Sequence, residues 1–527
     1  MRVLLLEAGS ALSPEADHFD ENIAHTVPGI LDGAGIAPQV KQRQAVQALC
    51  PAYNERSHKF FVDDIDHPYS VPETKQFAWI RSRQVGGRTI LWGRQCYRMS
   101  DFEFKAAARD GFGEDWPISY SDLAPYYDKV ETFMGVHGSY EHLPQLPDGR
   151  FLPPLALSAG EQLLKIAVET KWPQRKVIPM RIAGANSPDG GGSVWPYFSS
   201  PGSTLAAAGR TGKLELQPNS ITSHILVDSH SGKAKGVGYV DRDTKQAYEA
   251  FGKVILLCAS TIESTRILLN SATRQHPGGL GNSADVLGHY LMDHTGCITV
   301  TGVGPPRSPV AGGNESAMGI YMPNFRNLDG PEMKFLRGYG IQGGVQRGIP
   351  GLGHSQLPGS AADSSWDRKN SSDSLSGDSQ FWLAAFGEML PRFHNRVTLN
   401  QDEKDAWGIP TVHIDCTHSD NERAMARDQV ECLTEMAEAA GFQIMRKQER
   451  MAQPGLSIHE VGTARMGADP GKSVVDPFNA CWDADNVFVL DGACFVSQGY
   501  QNPTLTMMAI AVRACAYIID QLKKGNI

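Results

Sequence analysis

No apolar run in this 527-residue sequence reaches the roughly 18 residues of a bilayer-spanning helix, so it reads as having no membrane span. The opening, MRVLLLEAGS, holds too short an apolar stretch for a signal peptide. The chain as it stands therefore reads as soluble and cytoplasmic; an export signal upstream of residue 1 would instead make it periplasmic. Basic charge is in deficit, with 49 Lys and Arg against 58 Asp and Glu and a formal net charge of -9. Without a basic stripe to neutralise phosphates, the balance argues against nucleic acid as a partner. The nine cysteines (Cys50, Cys96, Cys258, Cys297, Cys416, Cys432, Cys481, Cys494, Cys515) are odd in number, scattered and form no C-x-x-C pair. That argues against a disulfide framework or a zinc site, and most read as small buried hydrophobes. No metal ligand set is expected. Internal repeats are missing too, and one polar stretch, GSAADSSWDRKNSSDSLSGDS at 359–379, has too little apolar area to pack and reads as a mobile loop or lid.

What is present is ordinary globular composition, 41% hydrophobic and 20% charged, in a chain long enough for about three to four domains' worth of core. Short Val, Ile and Leu-rich segments at 2–7, 214–217, 221–227, 236–240, 253–258 and 486–490 read as buried strands. Helical periodicity falls at 159–169, 260–271, 420–440 and 503–522, so strands and helices together predict an α/β layer with a partly parallel sheet. From about 296 to 455 the pattern changes. GCITVTGV, MGIYMPNF, FWLAAFGEML and RVTLN alternate as antiparallel strands do, with one face on a core and the other towards ligand or solvent, and predict a second, sheet-based α+β domain.

The strand RVLLLE ends in Glu7, followed by Ala8 and Gly9. In a dinucleotide-binding βαβ unit the second strand ends in an acid that takes hydrogen bonds from ribose hydroxyls. On that reading a first strand and a G-x-G-x-x-G turn would precede Glu7, whereas only the start of the same strand does, so the unit is expected to be N-terminally incomplete. The glycine cluster PGGLGNSADVLG at 277–288 follows a helix and cannot serve as that turn.

The most informative stretch runs from His459 to Ile518, with H-x-x-G-T-x-x-M-G, D-G and N-P-T in succession. It resembles the C-terminal flavin-binding part of the glucose-methanol-choline (GMC) oxidoreductases, FAD enzymes that oxidise alcohol groups. SRQVGGRTILWG at 82–93 is similar to that family's Gly-Gly segment, VILLCASTIESTRILLNS at 254–271 to its second signature, and GLGNSADVLGHYLMDH at 279–294 to the segment that follows. The resemblance implies a discontinuous Rossmann-like FAD-binding domain over 1–120, 200–295 and 455–527, and a substrate domain over 121–199 and 296–454.

By resemblance, His459 is the base that accepts the alcohol proton, and Asn502 hydrogen-bonds the same oxygen. Glu7, Gly86, Gly87, Thr89, Asp491, Gly492, Pro503 and Thr504 are the implied cofactor contacts. Asn502 is also a candidate helix cap and Pro503 a first helical residue. The family-specific departures carry expectations of their own. Leu91 stands near where some relatives carry a flavin-linking His, which implies non-covalent FAD, and the absence of cysteine from 97–257 implies no iron-sulfur cluster. His294, at the end of LMDH, reads as structural, at the domain junction.

SRQVGGRT, GEDWPISYSDLAPYYDKVE and TARMG resemble the bacterial sugar-oxidising branch, which implies a sugar or glycoside substrate. Trp366, Trp382, Trp407 and Tyr339 are candidates to stack on a sugar face, a role that competes with core or loop anchoring. The implied acceptor is an electron-transfer subunit or a quinone or cytochrome; an oxygen-using pyranose or glycoside oxidase, or another alcohol oxidase of the family, is the first alternative. A truncated, non-catalytic scaffold is the second.

Overall fold

The structure is a computed structural model that describes residues 1–12, 35–184, 199–304, 319–330, 332–347 and 379–527. The polar segment up to residue 378, with Trp366, lies outside the described residues. In chain order, the elements that position the site begin with β1 (Val3–Leu6), α1 (Tyr120–Met134), α2 (Ala159–Lys171) and β2 (Ile178–Pro179). β3 (Leu214–Gln217), β4 (Ser220–Val227), β5 (Ala234–Asp241), β6 (Ala247–Phe251) and β7 (Ile255–Leu257) lead into α3 (Thr261–Asn270). Then come β8 (Thr295–Val303), β9 (Ile320–Met322), β10 (Tyr339–Arg347), β11 (Ser379–Gly387), β12 (Arg396–Lys404) and β13 (Pro410–Asp415). The chain closes with α4 (Asp420–Ala439), β14 (Gln443–Gln448), β15 (Ala484–Val489) and α5 (Thr504–Lys524).

Among the strands of the described residues, two pairs are parallel, β1 with β3 and β7 with β15. β4, β5 and β6 instead form an antiparallel meander within the segment where a parallel layer was expected, because connections of six and five residues are too short for a parallel crossover and make hairpins. β1 and β3 are also less buried than their apolar sequences predict: Val3, Leu4 and Leu216 are 38%, 42% and 37% exposed.

The second sheet is antiparallel throughout, in the order β14-β8-β11-β10-β9-β2. Period-two alternation divides its faces. Ile320, Met322, Ile341, Val345, Phe381, Leu383 and Ala385 pack with α2 and α4 residues such as Leu164, Val168, Leu433 and Met436 in one core. Tyr321, Gln342, Trp382 and Phe386 alternate with these and lie on the opposite face. One expected member is elsewhere: RVTLN forms the β12–β13 hairpin, whose Val397, Val412 and Ile414 join the other core, with Ile267 and Leu268 of α3. That larger core also takes Leu123, Tyr127, Val130 and Met134 of α1.

α5 is long and apolar enough, by length and composition, to cross a membrane, unlike the sequence expectation. Its buried residues Leu505, Ala509, Ile510, Ala514 and Ile518 recur at helical spacing and enter two of the cores, the pattern of a core helix.

Gly462 shows how tightly the loop after His459 is held. It sits at φ +88, and a Cβ there would lie 2.2 Å from the Tyr290 carbonyl oxygen. A Gly462→Ala chain therefore meets both left-handed strain and a backbone clash, and is expected to lose about 2–4 kcal/mol of stability, readable as a lower denaturation midpoint. An unchanged midpoint would mean that the loop relaxes freely.

Candidate active site

The motif residues converge because four loops are stitched together by backbone bonds. Val85 N donates to Ser10 O, Gly462 N to Gly492 O and Ala464 N to Ala493 O, and the Thr261 hydroxyl at the start of α3 donates to Glu460 O at 2.6 Å. The end of β1 thus runs beside the Gly-Gly segment, and the His459 loop lies against Asp491–Ala493.

His459 and Asn502 are side by side, with Asn502 Nδ2 3.3 Å from His459 Nε2. Asn502 does not cap α5. That helix begins at Thr504 with Pro503 at its N-cap and no side-chain cap bond, because the Asn502 amide is turned towards His459 and Gln342.

Asp293, which the sequence reading did not single out, clamps the loop of His459. Its buried carboxylate accepts the backbone N–H of Gly455 at 2.7 Å, of Ser457 at 3.1 Å and of His459 at 3.0 Å. Burial, with Glu460 nearby, pushes its pKa up to about 7. The neighbouring His294, expected to be structural, contacts His459 directly, with 2.9 Å between their Nδ1 atoms. Both residues come from LMDH, so the motif was the available signal. Gln342 had none, because its place depends on sheet register.

Burial is the main reason that the His459 pKa falls well below that of an ordinary imidazole; His294 and the Arg88 guanidinium lower it further. At neutral pH the ring is uncharged and keeps a lone pair, the state a proton acceptor requires. Arg88 is paired with Glu460 at 2.8 Å, and the other oxygen of that buried carboxylate has no partner among the described residues.

The residues expected to contact a cofactor border the same region. Gly86, at φ +99, opens the short helix Gly87–Ile90, and Thr89 Oγ1 bonds back to the Gly86 carbonyl and to Ser200. Gly87 has open space where a Cβ would stand, whereas a Cβ on Gly492 would lie 2.6 Å from Thr261 Oγ1. Asp491 is buried and already accepts three bonds, from Ser260 N, Ser264 Oγ and Ala493 N. Glu7 spends one carboxylate oxygen on Gly9 N at 2.7 Å. Pro503 and Thr504 stand at the first turn of α5, whose leading N–H groups have no intrahelical acceptors.

Of the proposed stacking residues, Tyr339 is fully buried with its hydroxyl on Asp428, and Trp407 is anchored by a 4.5 Å stack on His67 and a bond to Arg242 O. Both are committed to packing. Trp382 remains, half-buried on the same sheet face as Gln342.

Residues 391–511 match the family model described as GMC oxidoreductase. A 2-methyl-1,2-propanediol dehydrogenase of Mycolicibacterium austroafricanum is 30% identical over 82% of this chain and 80% of its own length. The fructose dehydrogenase large subunit of Gluconobacter japonicus is 27% identical over 84% and 81%, and a C-glycoside 3-oxidase of Microbacterium trichothecenolyticum 24% over 84% and 76%. Among solved structures, pyridoxine 4-oxidase from Mesorbium loti shares the fold with a TM-score of 0.58 at 17% identity, over 98% of this chain and 94% of that one. With the motifs, the paired His459 and Asn502 and this coverage taken together, the chain is an enzyme that belongs to the GMC oxidoreductases, beside relatives named for sugars, glycosides and diols.

Proposed function

We propose that this enzyme oxidises a CH–OH group of a sugar or glycoside with non-covalently bound FAD, using His459 as the base. The observation that carries the reading is the convergence of a neutral imidazole and an amide at 3.3 Å, one able to take the hydroxyl proton and the other to hold its oxygen. Bound FAD would supply the acceptor for the hydride that leaves the alcohol carbon. Gly87, with open space where a Cβ would stand, permits close backbone approach, Glu7 keeps a carboxylate oxygen for a ribose hydroxyl, and the first turn of α5 offers partial positive charge beside Pro503 and Thr504. The two parallel strand pairs support a Rossmann-like FAD-binding part over 1–120, 200–295 and 455–527, whose core α1 and the β12–β13 hairpin share. The amides of Gln95, Gln342 and Asn502 suit a polyhydroxylated substrate.

For the acceptor, a partner subunit, quinone or cytochrome is favoured by the relative named as a dehydrogenase large subunit, and oxygen by the relatives named as oxidases. The test is a visible spectrum of the chain supplied with FAD, followed by anaerobic additions of sugars, glycosides and a diol. A band that bleaches with a sugar or glycoside supports the reading. Bleaching by the diol alone would overturn the substrate class, and no band would overturn the cofactor.

Asn502→Asp would place a carboxylate about 3.3 Å from His459 Nε2. An opposite charge stabilises imidazolium, so the acid limb of kcat/KM against pH should move up by about one to three pH units. An unmoved limb would contradict the assignment of His459 as the base.

A further inference from the structure

Six hydrogen bonds run through the site as one chain. His294 Nε2 lies 2.9 Å from Gly499 O, His294 Nδ1 2.9 Å from His459 Nδ1, and His459 Nε2 3.3 Å from Asn502 Nδ2. Asn502 Oδ1 then accepts from Gln342 Nε2 at 2.8 Å, Gln342 Oε1 from Gln95 Nε2 at 2.7 Å, and Gln95 Oε1 from the Tyr97 hydroxyl at 2.9 Å.

The direction of this chain follows from its first link. A backbone carbonyl has no proton to give, so the His294 nitrogen facing Gly499 must carry the hydrogen. His294 is buried, and burial lowers its pKa to about 4, so at neutral pH it holds only that one ring proton. Its Nδ1 is then bare and can only accept. The ring proton of neutral His459 must therefore sit on Nδ1, which leaves Nε2 with an unshared pair. Asn502 in turn presents its NH2 to that pair, and its carbonyl faces the Gln342 amide.

We infer that the Gly499 carbonyl, acting through His294, fixes the tautomer of His459, so that His294 is a positioning residue for the reaction. The inference rests on the reading of His459 as the base. Its consequence is a matched pair of groups: Nε2 accepts and Asn502 Nδ2 donates. An alcohol hydroxyl is complementary to both, giving its proton to Nε2 while its oxygen accepts from the amide. With the opposite tautomer two donors would face each other, and the hydroxyl proton would have no acceptor. Gln342, Gln95 and Tyr97 hold the amide end in the same sense.

The test compares His294→Leu with His294→Asn. Both lose the bond to Gly499. Only Asn puts an acceptor, its Oδ1, where Nδ1 stood. In 15N-histidine NMR spectra of the FAD-loaded protein, with the His459 signals assigned by their loss in His459→Ala, wild type should show an unprotonated Nε2 and a protonated Nδ1. His294→Leu should move the proton to Nε2 or mix the tautomers, and His294→Asn should restore the wild-type pattern. With whichever alcohol bleaches the flavin, the reduction rate should fall about 10- to 100-fold in His294→Leu and largely recover in His294→Asn. A protonated Nε2 in wild type, or identical spectra for the two variants, would overturn the inference. An unchanged rate in His459→Ala would remove the base reading instead, and the tautomer spectra would still decide this one.

Discussion

Replacing His459 by Ala is expected to slow flavin reduction by about 10²-fold or more while the bound flavin's absorption band stays in place. The size follows from the role proposed for the side chain. Removing a hydroxyl proton in step with hydride departure needs an acceptor within hydrogen-bond reach and with a pKa near or below working pH. His459 meets the second condition because burial, His294 and Arg88 all disfavour its charged form. Asp293, which accepts the His459 backbone N–H at 3.0 Å, holds the loop that carries the imidazole. Retention of the band is expected because the backbone of the loop is held from Asp293 and by the Gly462–Gly492 bond, neither of which involves the imidazole. Stopped-flow reduction under anaerobic conditions gives the rate, and the spectrum before mixing gives the cofactor content. A rate equal to wild type would remove His459 as the base; loss of the band would make it a cofactor ligand.

The largest effect on stability is expected from Arg98→Ala, at about 3–5 kcal/mol. The Arg98 guanidinium is 3% exposed and bonds both oxygens of Glu131, itself 1% exposed, together with Asp128 and the Tyr120 hydroxyl. Removing the cation leaves a buried carboxylate, whose cost exceeds the modest net value of the pair when both partners are present. This loss would consume a large part of a net stability of about 5–15 kcal/mol. The damage should also reach the site, because the Arg98 carbonyl accepts from Gln501, next to Asn502, and Met99 N bonds the Tyr127 hydroxyl that meets Thr506 of α5. Denaturant midpoints of the single variants and of Arg98→Met/Glu131→Leu separate the terms. The double variant should recover most of the loss, and a single-variant loss under about 1 kcal/mol would mean that water reaches Glu131.

The long helices were legible because their apolar periodicity is local. The expected 159–169, 260–271, 420–440 and 503–522 correspond to Ala159–Lys171, Thr261–Asn270, Asp420–Ala439 and Thr504–Lys524. Strand partners were less legible. RVTLN alternates like any member of the second sheet, and nothing in its pattern says that Val397 will bury against α3. Exposure of Val3 and Leu4 was equally invisible, since an apolar strand reads as buried whatever lies beside it. For Asn502, the N-P-T context suggested a helix cap as readily as a site amide. The competition was decided by Gln342, 160 residues away in sequence, whose amide draws the side chain from the helix end.

By itself, the sequence determined the family and singled out His459 and Asn502 as a candidate pair, because both lie in short motifs. It also determined that one face of the second sheet would be apolar, since side chains alternate every second residue. Only the tertiary structure decided which groups surround the pair. Asp293 and His294, Gln342 and Gly499 come from three separate segments, and whether a nitrogen donates or accepts depends on the partner opposite it. A hydrogen bond has direction, and direction is a property of two atoms brought together in space, which no one-dimensional pattern contains.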